Sequence, residues 1–128
     1  MSVSDSFKTY VVEQLGRLRP DIRTRAMFGG VGVYAGERFF ALIDDDVLYL
    51  KVDDVNRPDF EKEGMGPFQP FGPGGEVMQY YELPAGLLDE PEELRPWVES
   101  AIEVAARAKS RAKGRAKPRD TGKTKGKR

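Results

Sequence analysis

The sequence contains neither cysteine nor histidine. These absences exclude disulfide bonds, cysteine nucleophiles, zinc sites built from Cys or His, and every catalytic triad that uses histidine. Any enzymatic chemistry would have to rely on carboxylates, lysine, tyrosine, serine or threonine.

Long apolar runs are also missing. No run reaches the roughly 18 residues that a membrane-spanning helix needs. The first ten residues, MSVSDSFKTY, do not place an apolar segment after a basic one, so they do not fit a secretory signal. We therefore expect a cytoplasmic protein with no membrane partner.

The charges balance overall but are unevenly distributed. The chain has 128 residues with 21 basic and 21 acidic side chains. Residues 107–128 hold eleven of the basic residues and a single acid, Asp120, whereas residues 1–106 hold ten basic and twenty acidic ones. We therefore predict one acidic folded domain over 1–106 and a basic, disordered tail over 107–128.

The basic tail predicts a partner as well as a boundary. Lys and Arg recur in RAKS, RAKG and RAKP without apolar residues larger than alanine, a composition that suits non-specific binding to phosphates. The candidate nucleic-acid-binding residues are Arg107, Lys109, Arg111, Lys113, Arg115, Lys117, Arg119, Lys123, Lys125, Lys127 and Arg128.

A helix is predicted at the start of the chain. Ser4 is a suitable N-cap, and Pro20 cannot continue a helix. Between them one apolar stripe contains Phe7, Val11, Leu15 and Leu18.

Three strands are predicted next, over about Arg25 to Ala35, RFFALID and VLYLKVD. The turns between them are short, so the strands should be antiparallel neighbours. In the third strand Leu48, Leu50 and Val52 alternate with Val47, Tyr49 and Lys51, which predicts a sheet covered on one face.

The remaining residues complete an α+β pattern. A short helix around DDVNRPDFEKEG, a loop at GPFQPFGPGGE, a strand at VMQYYELP and a last helix at DEPEELRPWVESAIEVAARAK follow in that order. The order α-β-β-β-α-β-α predicts a two-layer α/β sandwich with an antiparallel sheet. Its expected core includes Phe7, Val11, Leu48, Leu50, Trp97 and Ile102.

The glycine-rich stretch MFGGVGVYAG raises the possibility of a dinucleotide site, since Gly30, Gly32 and Ala35 fit G-x-G-x-x-A. That motif needs a long helix after the loop, and GERFFALID is a strand pattern instead. We therefore expect these glycines to permit a bulge or a close backbone contact, and predict no cofactor.

Two further motifs are incomplete. GKT at 122–124 lacks the preceding glycine of a phosphate-binding loop, since position 117 is lysine. The acidic run 44–46 could coordinate a cation, but Tyr49 and Val55 occupy positions where an EF-hand loop needs glycine and glutamate. A solvated hairpin turn is favoured, and no metal ligand is assigned.

Tyrosine and lysine side chains of the predicted sheet have two possible roles each. Tyr34, Tyr49, Tyr80 and Tyr81 could stack on nucleic-acid bases, although packing is the commoner role of strand aromatics. Lys51 could act as a base with a lowered pKa, although an outward-facing lysine is commoner. We assign no catalytic residue from these patterns.

Three stretches together resemble the N-terminal domain of the TfoX/Sxy family of competence regulators. They are RAMFGGVGVYAGERFFALIDDDVLYLKVD, FEKEGMGPFQPF and MQYYELPAGLLDEPEELRPWVESAIEVA, and they cover about residues 6 to 106. The resemblance implies a two-layer α/β sandwich with an antiparallel sheet, and it brings no assigned active site. Full-length competence regulators of this type carry a second, helical domain, whereas the basic tail follows here.

The expected function is therefore that of a non-enzymatic regulatory or adapter module. It would bind a protein partner through the domain and nucleic acid through the tail. The alternative is a small enzyme or ligand-binding domain with an unassigned site on the sheet, which a cleft with converging titratable groups would favour. A third possibility is that the tail only confers solubility.

Overall fold

A computed structural model of the chain describes residues 3–27, 30–69, 79–84 and 86–116. Its elements are α1 (Asp5–Gly16), β1 (Ile22–Met27), β2 (Gly30–Ala35), β3 (Arg38–Asp44), β4 (Val47–Lys51), α2 (Arg57–Lys62), β5 (Tyr80–Glu82) and α3 (Pro91–Ala116), with a short 3₁₀ turn at Leu87–Asp89 before α3.

The sheet is a five-stranded antiparallel meander in the order β1-β2-β3-β4-β5. Helix α3 packs on β3 and β4, and α1 packs beside β1. The predicted α+β class and the antiparallel sheet are confirmed. The sheet has one strand more than predicted, because the segment from Arg25 to Ala35 belongs to two antiparallel strands in which Met27 lies opposite Gly30.

Helix α1 begins where its sequence predicts. The Ser4 side chain accepts a hydrogen bond from the Phe7 backbone N–H at 3.2 Å, so one free N–H of the first turn is satisfied. Val11 and Leu15 are fully buried on the apolar stripe. The helix ends at Gly16, one turn before Pro20.

The hydrophobic core lies between the sheet and the helices. Leu48, Leu50 and Val52 are all buried, which confirms that the apolar face of β4 is the covered one. Of the six predicted core residues, Val11, Leu48, Leu50 and Ile102 are buried, while Phe7 and Trp97 are half-buried and pack against the core.

A β-bulge in β3 places an extra aromatic side chain in the core. Tyr34 pairs with Phe39 and Val33 pairs with Ala41, so Phe40 has no residue opposite it on β2. Phe40 and Ala41 are both fully buried although they are adjacent in sequence. The bulge explains why RFFALID is apolar almost throughout, since the successive residues Phe40 and Ala41 are both buried in the core.

Helix α3 is continuous across the predicted boundary between residues 106 and 107. It begins at Pro91, accommodates Pro96 in its second turn and reaches Ala116. Leu94, Val98 and Ala101 are fully buried against the sheet. The last helix therefore includes the first ten residues of the predicted tail.

Candidate functional site

The sheet face opposite the helices is rich in aromatic side chains. Tyr34 stacks on Phe39 with ring centroids 5.1 Å apart, and Phe39 lies 5.6 Å from Tyr80. Farther along β4, Tyr49 packs against Phe68 at 4.8 Å. Tyr34 and Phe39 stack across the neighbouring strands β2 and β3, which is how strand aromatics stabilise a sheet, whereas Phe39 and Tyr80 lie on β3 and β5, on either side of β4.

A cavity of about 380 Å³ opens on this face. Its wall combines residues of all five strands with Phe68, which lies between α2 and β5. The lining residues are Met27, Gly30, Val31, Phe39, Leu42, Ile43, Asp44, Lys51, Phe68 and Tyr80. A mostly apolar cavity with a few polar groups is the usual form of a small-molecule site.

Lys51 and Tyr80 form the polar corner of the cavity. The Lys51 Nζ donates a hydrogen bond to Tyr80 Oη at 3.3 Å and lies 4.8 Å from the centre of the Tyr80 ring. Burial lowers the pKa of Lys51. Burial, with a smaller effect of Tyr34, raises the pKa of Tyr80 to about 12. Lys51 thus lies on the open face of the sheet and is half-buried against an aromatic ring.

The end of β4 that carries Lys51 is held by a buried amide. Asn56 is 2% exposed, and its Nδ2 donates to the Lys51 backbone carbonyl at 3.1 Å. Its Oδ1 accepts from the Asp53 backbone N–H at 2.8 Å. Both polar atoms of the amide are therefore used to fix the chain where β4 ends.

The acidic run at 44–46 divides into two environments. Asp45 and Asp46 are exposed and adopt positive φ angles of 53° and 57°, as a two-residue hairpin turn requires. Asp44 ends β3 and is only 7% exposed. The Asp44 Oδ1 is buried and has no hydrogen-bond partner among the residues described. The solvated turn is therefore correct for Asp45 and Asp46 but wrong for Asp44.

The glycines of the MFGGVGVYAG stretch allow close packing around the cavity. A Cβ on Gly30 would lie 2.5 Å from the Ile43 backbone oxygen. A Cβ on Gly32 would lie 2.6 Å from the Met27 Cε and 3.1 Å from Phe39 Cε1. Gly30 thus permits a close backbone approach between β2 and β3, and Gly32 leaves room for two side chains of the cavity wall.

A second, smaller cavity of about 230 Å³ lies between α2 and α3. Asp59, Lys62 and Glu63 on its rim are exposed, and Phe60 and Trp97 form its apolar part. It has neither a half-buried lysine nor an unpartnered buried oxygen within the described ranges, so the open face of the sheet is the better candidate.

The candidate nucleic-acid residues fall into three groups. Arg107 is described, and its guanidinium makes a two-bond ion pair with Asp53, with N–O distances of 3.0 and 3.1 Å. Four others lie on the backbone of α3, namely Lys109, Arg111, Lys113 and Arg115. Outside the described residues are Lys117, Arg119, Lys123, Lys125, Lys127 and Arg128.

Sequence patterns identify only part of the candidate site. Three of the four candidate stacking tyrosines lie on the open face, whereas Tyr81 packs towards the core. The patterns do not single out Phe39, and they place Asp44 in a solvated turn. For both residues the register of the strands decides whether the side chain or its neighbour in the sequence faces the cavity. The local pattern does not contain that information.

A comparison with protein families decides the family. A family model described as the TfoX N-terminal domain matches residues 13–105. The chain belongs to this family. The TfoX N-terminal domain is of a regulatory or adapter type and is not a known enzyme family. Its match ends two residues before Arg107, so all eleven basic residues of the predicted tail follow the matched domain.

Two further observations complete the comparison. No curated protein matches the chain. Within the part of the chain that the structure describes, no helix is both long and apolar enough to cross a membrane, and no group of three or more acidic side chains could hold a metal ion.

The raised pKa of Tyr80 predicts a loss of stability at alkaline pH. An unfolded tyrosine ionises near pH 10, whereas folded Tyr80 stays protonated to about pH 12. The unfolded state therefore binds fewer protons in this window, so stability falls as the pH rises from 10 to 12. Two pKa units correspond to roughly 2–3 kcal/mol. Urea unfolding at intervals from pH 9 to 12 should show this loss of unfolding free energy in the wild type. The loss in Tyr80→Phe should be smaller by roughly 2–3 kcal/mol.

The difference between the pH profiles of the wild type and Tyr80→Phe isolates the contribution of Tyr80 to stability. The lowered pKa of Lys51 acts in the opposite direction, because its folded form releases a proton at lower pH than the unfolded chain. That contribution is present in both proteins and largely cancels from their difference. Parallel pH profiles for the wild type and Tyr80→Phe would contradict the prediction.

Proposed function

We propose that this protein is a cytoplasmic adapter whose TfoX N-terminal domain binds a protein partner and whose basic tail, residues 107–128, binds nucleic acid non-specifically. The separation of charge supports this proposal above all. Eleven basic residues and one acid follow the matched domain, whereas the preceding 106 residues carry twice as many acids as bases. Phosphates are attracted to the tail and repelled by the domain.

The folded residues indicate which cations are available. Arg107 is already bonded to Asp53 through two hydrogen bonds, and the Asp53 side chain is largely buried. This pair anchors α3 to the turn that follows β4, and it uses two N–H donors of the Arg107 guanidinium. The nucleic-acid function is therefore assigned to the ten basic residues from Lys109 onward.

The proposal predicts binding that weakens steeply with salt. If about five cations contact phosphates on duplex DNA, the logarithm of the affinity should fall with the logarithm of the salt concentration at a slope of roughly −4.5. Fluorescence anisotropy of labelled duplexes, titrated with the full chain from about 50 mM to about 200 mM salt, measures this slope. Changing the duplex sequence should alter the affinity little, because phosphate contacts carry no base information.

Two charge variants separate the tail from the domain. One replaces the ten basic residues from Lys109 onward with glutamine, and the matched control replaces only Arg107 with glutamine. The first should abolish the salt-dependent binding. The control should keep the slope while losing about 1 kcal/mol of stability, as expected for a partly exposed ion pair. Equal DNA binding by both variants would show that the tail only confers solubility.

The protein-binding half of the proposal needs a separate measurement. The full chain and the ten-residue charge variant are used as baits in lysate with and without nuclease, with Val55→Ala as a surface control. A partner of the domain should be captured by both baits in the presence of nuclease. Capture that requires both the basic residues and intact nucleic acid would contradict a protein partner.

A further inference from the structure

We propose that the cavity on the open face of the sheet binds a small monocarboxylate with an apolar, aromatic body, whose carboxylate accepts hydrogen bonds from Lys51 and Tyr80. This goes beyond the adapter function, which makes no use of the open face.

Lys51 lines the cavity without an acidic partner in the described part of the chain. Its ammonium contacts only the hydroxyl and the ring face of Tyr80 among the described interactions. None of the ion pairs between described residues includes it. An ammonium has three N–H donors, and the bond to Tyr80 uses one of them. A half-buried positive charge with unused donors favours an anion as its ligand.

Tyr80 supplies a second donor at the same corner of the cavity. Among the described hydrogen bonds its hydroxyl serves only as an acceptor, from Lys51 Nζ at 3.3 Å. A phenol hydroxyl both accepts and donates, so its hydrogen is left for another group. Because burial raises the pKa of Tyr80 to about 12, the hydroxyl keeps this hydrogen at neutral pH. The two donor atoms are close enough for one carboxylate to accept from both.

The remaining walls define the apolar body of the ligand. Met27, Phe39, Leu42 and Phe68 supply aliphatic and aromatic surface in a cavity of about 380 Å³, a volume in the range of small-molecule sites. Gly32 leaves the space that Met27 and Phe39 occupy, so the sheet itself adds no bulk there. An aromatic ring would bury its apolar surface between these side chains.

Asp44 limits the ligand to one negative charge. It pairs with Val47, and Lys51 follows Val47 by four residues, so Asp44 and Lys51 lie about 13 Å apart along the sheet at roughly 3.3 Å per residue. A second anionic group at the Asp44 end of the cavity would be repelled by that carboxyl group. The ligand therefore places its carboxylate at Lys51 and an uncharged end towards Asp44.

Isothermal titration calorimetry of the full chain with three probes tests the proposal. 3-Phenylpropionate should bind at least about tenfold more tightly than 3-phenylpropanamide, which has nearly the same shape without the charge, because a hydrogen bond to a charged group is lost. Acetate has the charge without the ring and should show no binding at millimolar concentration, because it buries little apolar surface.

Matched variants separate the cavity from the other cations of the chain. Lys51→Met should weaken 3-phenylpropionate binding about tenfold or more, and Tyr80→Phe about threefold or more. Lys62→Met removes an exposed lysine outside this cavity and should leave the affinity unchanged. The variant with glutamine at the ten basic positions from Lys109 onward should also bind normally, which separates the site from attraction of the acid to the tail.

Amide chemical shifts of the wild type locate the site without any substitution. On titration with 3-phenylpropionate the largest changes should fall around Leu42, Lys51 and Tyr80 on the three neighbouring strands β3, β4 and β5. Equal affinity for the acid and the amide, unchanged binding by Lys51→Met, or shift changes confined to residues 109–128 would overturn the proposal. Undetectable binding of 3-phenylpropionate at millimolar concentration would overturn it as well.

Discussion

Replacing Phe60 by alanine should lower the free energy of unfolding by about 3–5 kcal/mol. Phe60 is 1% exposed and is the only buried residue of α2. Its ring meets Trp97 edge-on at 4.8 Å and lies 6.0 Å from Tyr81. A helix of six residues is too short to be stable alone, so the burial of Phe60 contributes most of the apolar contact that holds α2, beside the Arg57 hydrogen bond to Gln79.

Urea unfolding of the full chain tests this effect, and two other variants calibrate it. Val55 is 71% exposed near the start of α2, so Val55→Ala should change stability by no more than about 0.5 kcal/mol. Trp97 is larger than Phe60 but only half-buried, so Trp97→Ala should cost less than Phe60→Ala. A loss below about 1 kcal/mol for Phe60→Ala, typical of an ordinary substitution, would show that α2 is held by other contacts.

The covered face of the sheet could be predicted from the sequence because its pattern is local. Leu48, Leu50 and Val52 alternate with partly polar residues, and a two-residue period requires that they share a face. The stripe of α1 and the apolar positions of α3 follow the same reasoning with a period of about 3.6 residues. Each of these patterns depends only on neighbours within a few positions.

The first strand could not be separated from the second by this reasoning. Among the described strands β1 pairs with β2 alone, and Arg23, Arg25 and Ala26 are exposed on it. An edge strand with so little burial leaves no clear alternation. The pattern alone predicts one long strand that continues through the glycines, whereas Gly30 in fact begins β2.

The candidate site depended on contacts that are distant in the sequence. Lys51 meets Tyr80 across 29 positions, and their pairing follows from the register of β4 and β5. Phe39 reaches the same cavity because of the bulge at Phe40. The type of each residue could be read from the sequence, but their convergence required the register of the sheet.

The second large loss of stability is expected when Gly30 is replaced by alanine. Gly30→Ala should lower the free energy of unfolding by about 2–3 kcal/mol, since the added Cβ would lie 2.5 Å from the Ile43 carbonyl oxygen. That oxygen belongs to the backbone of β3, which is hydrogen-bonded on both sides. Relieving the contact therefore requires a shift of a central strand and not the rotation of a side chain.

Two glycines elsewhere distinguish this backbone contact from the general effect of adding a methyl group. Gly66→Ala meets nothing within 4 Å and should be neutral or slightly stabilising, because alanine restricts the unfolded chain. Gly32→Ala contacts the flexible end of Met27, which can move, so it should cost less than Gly30→Ala. Equal stability losses for Gly30→Ala and Gly66→Ala would contradict the close approach of β2 and β3.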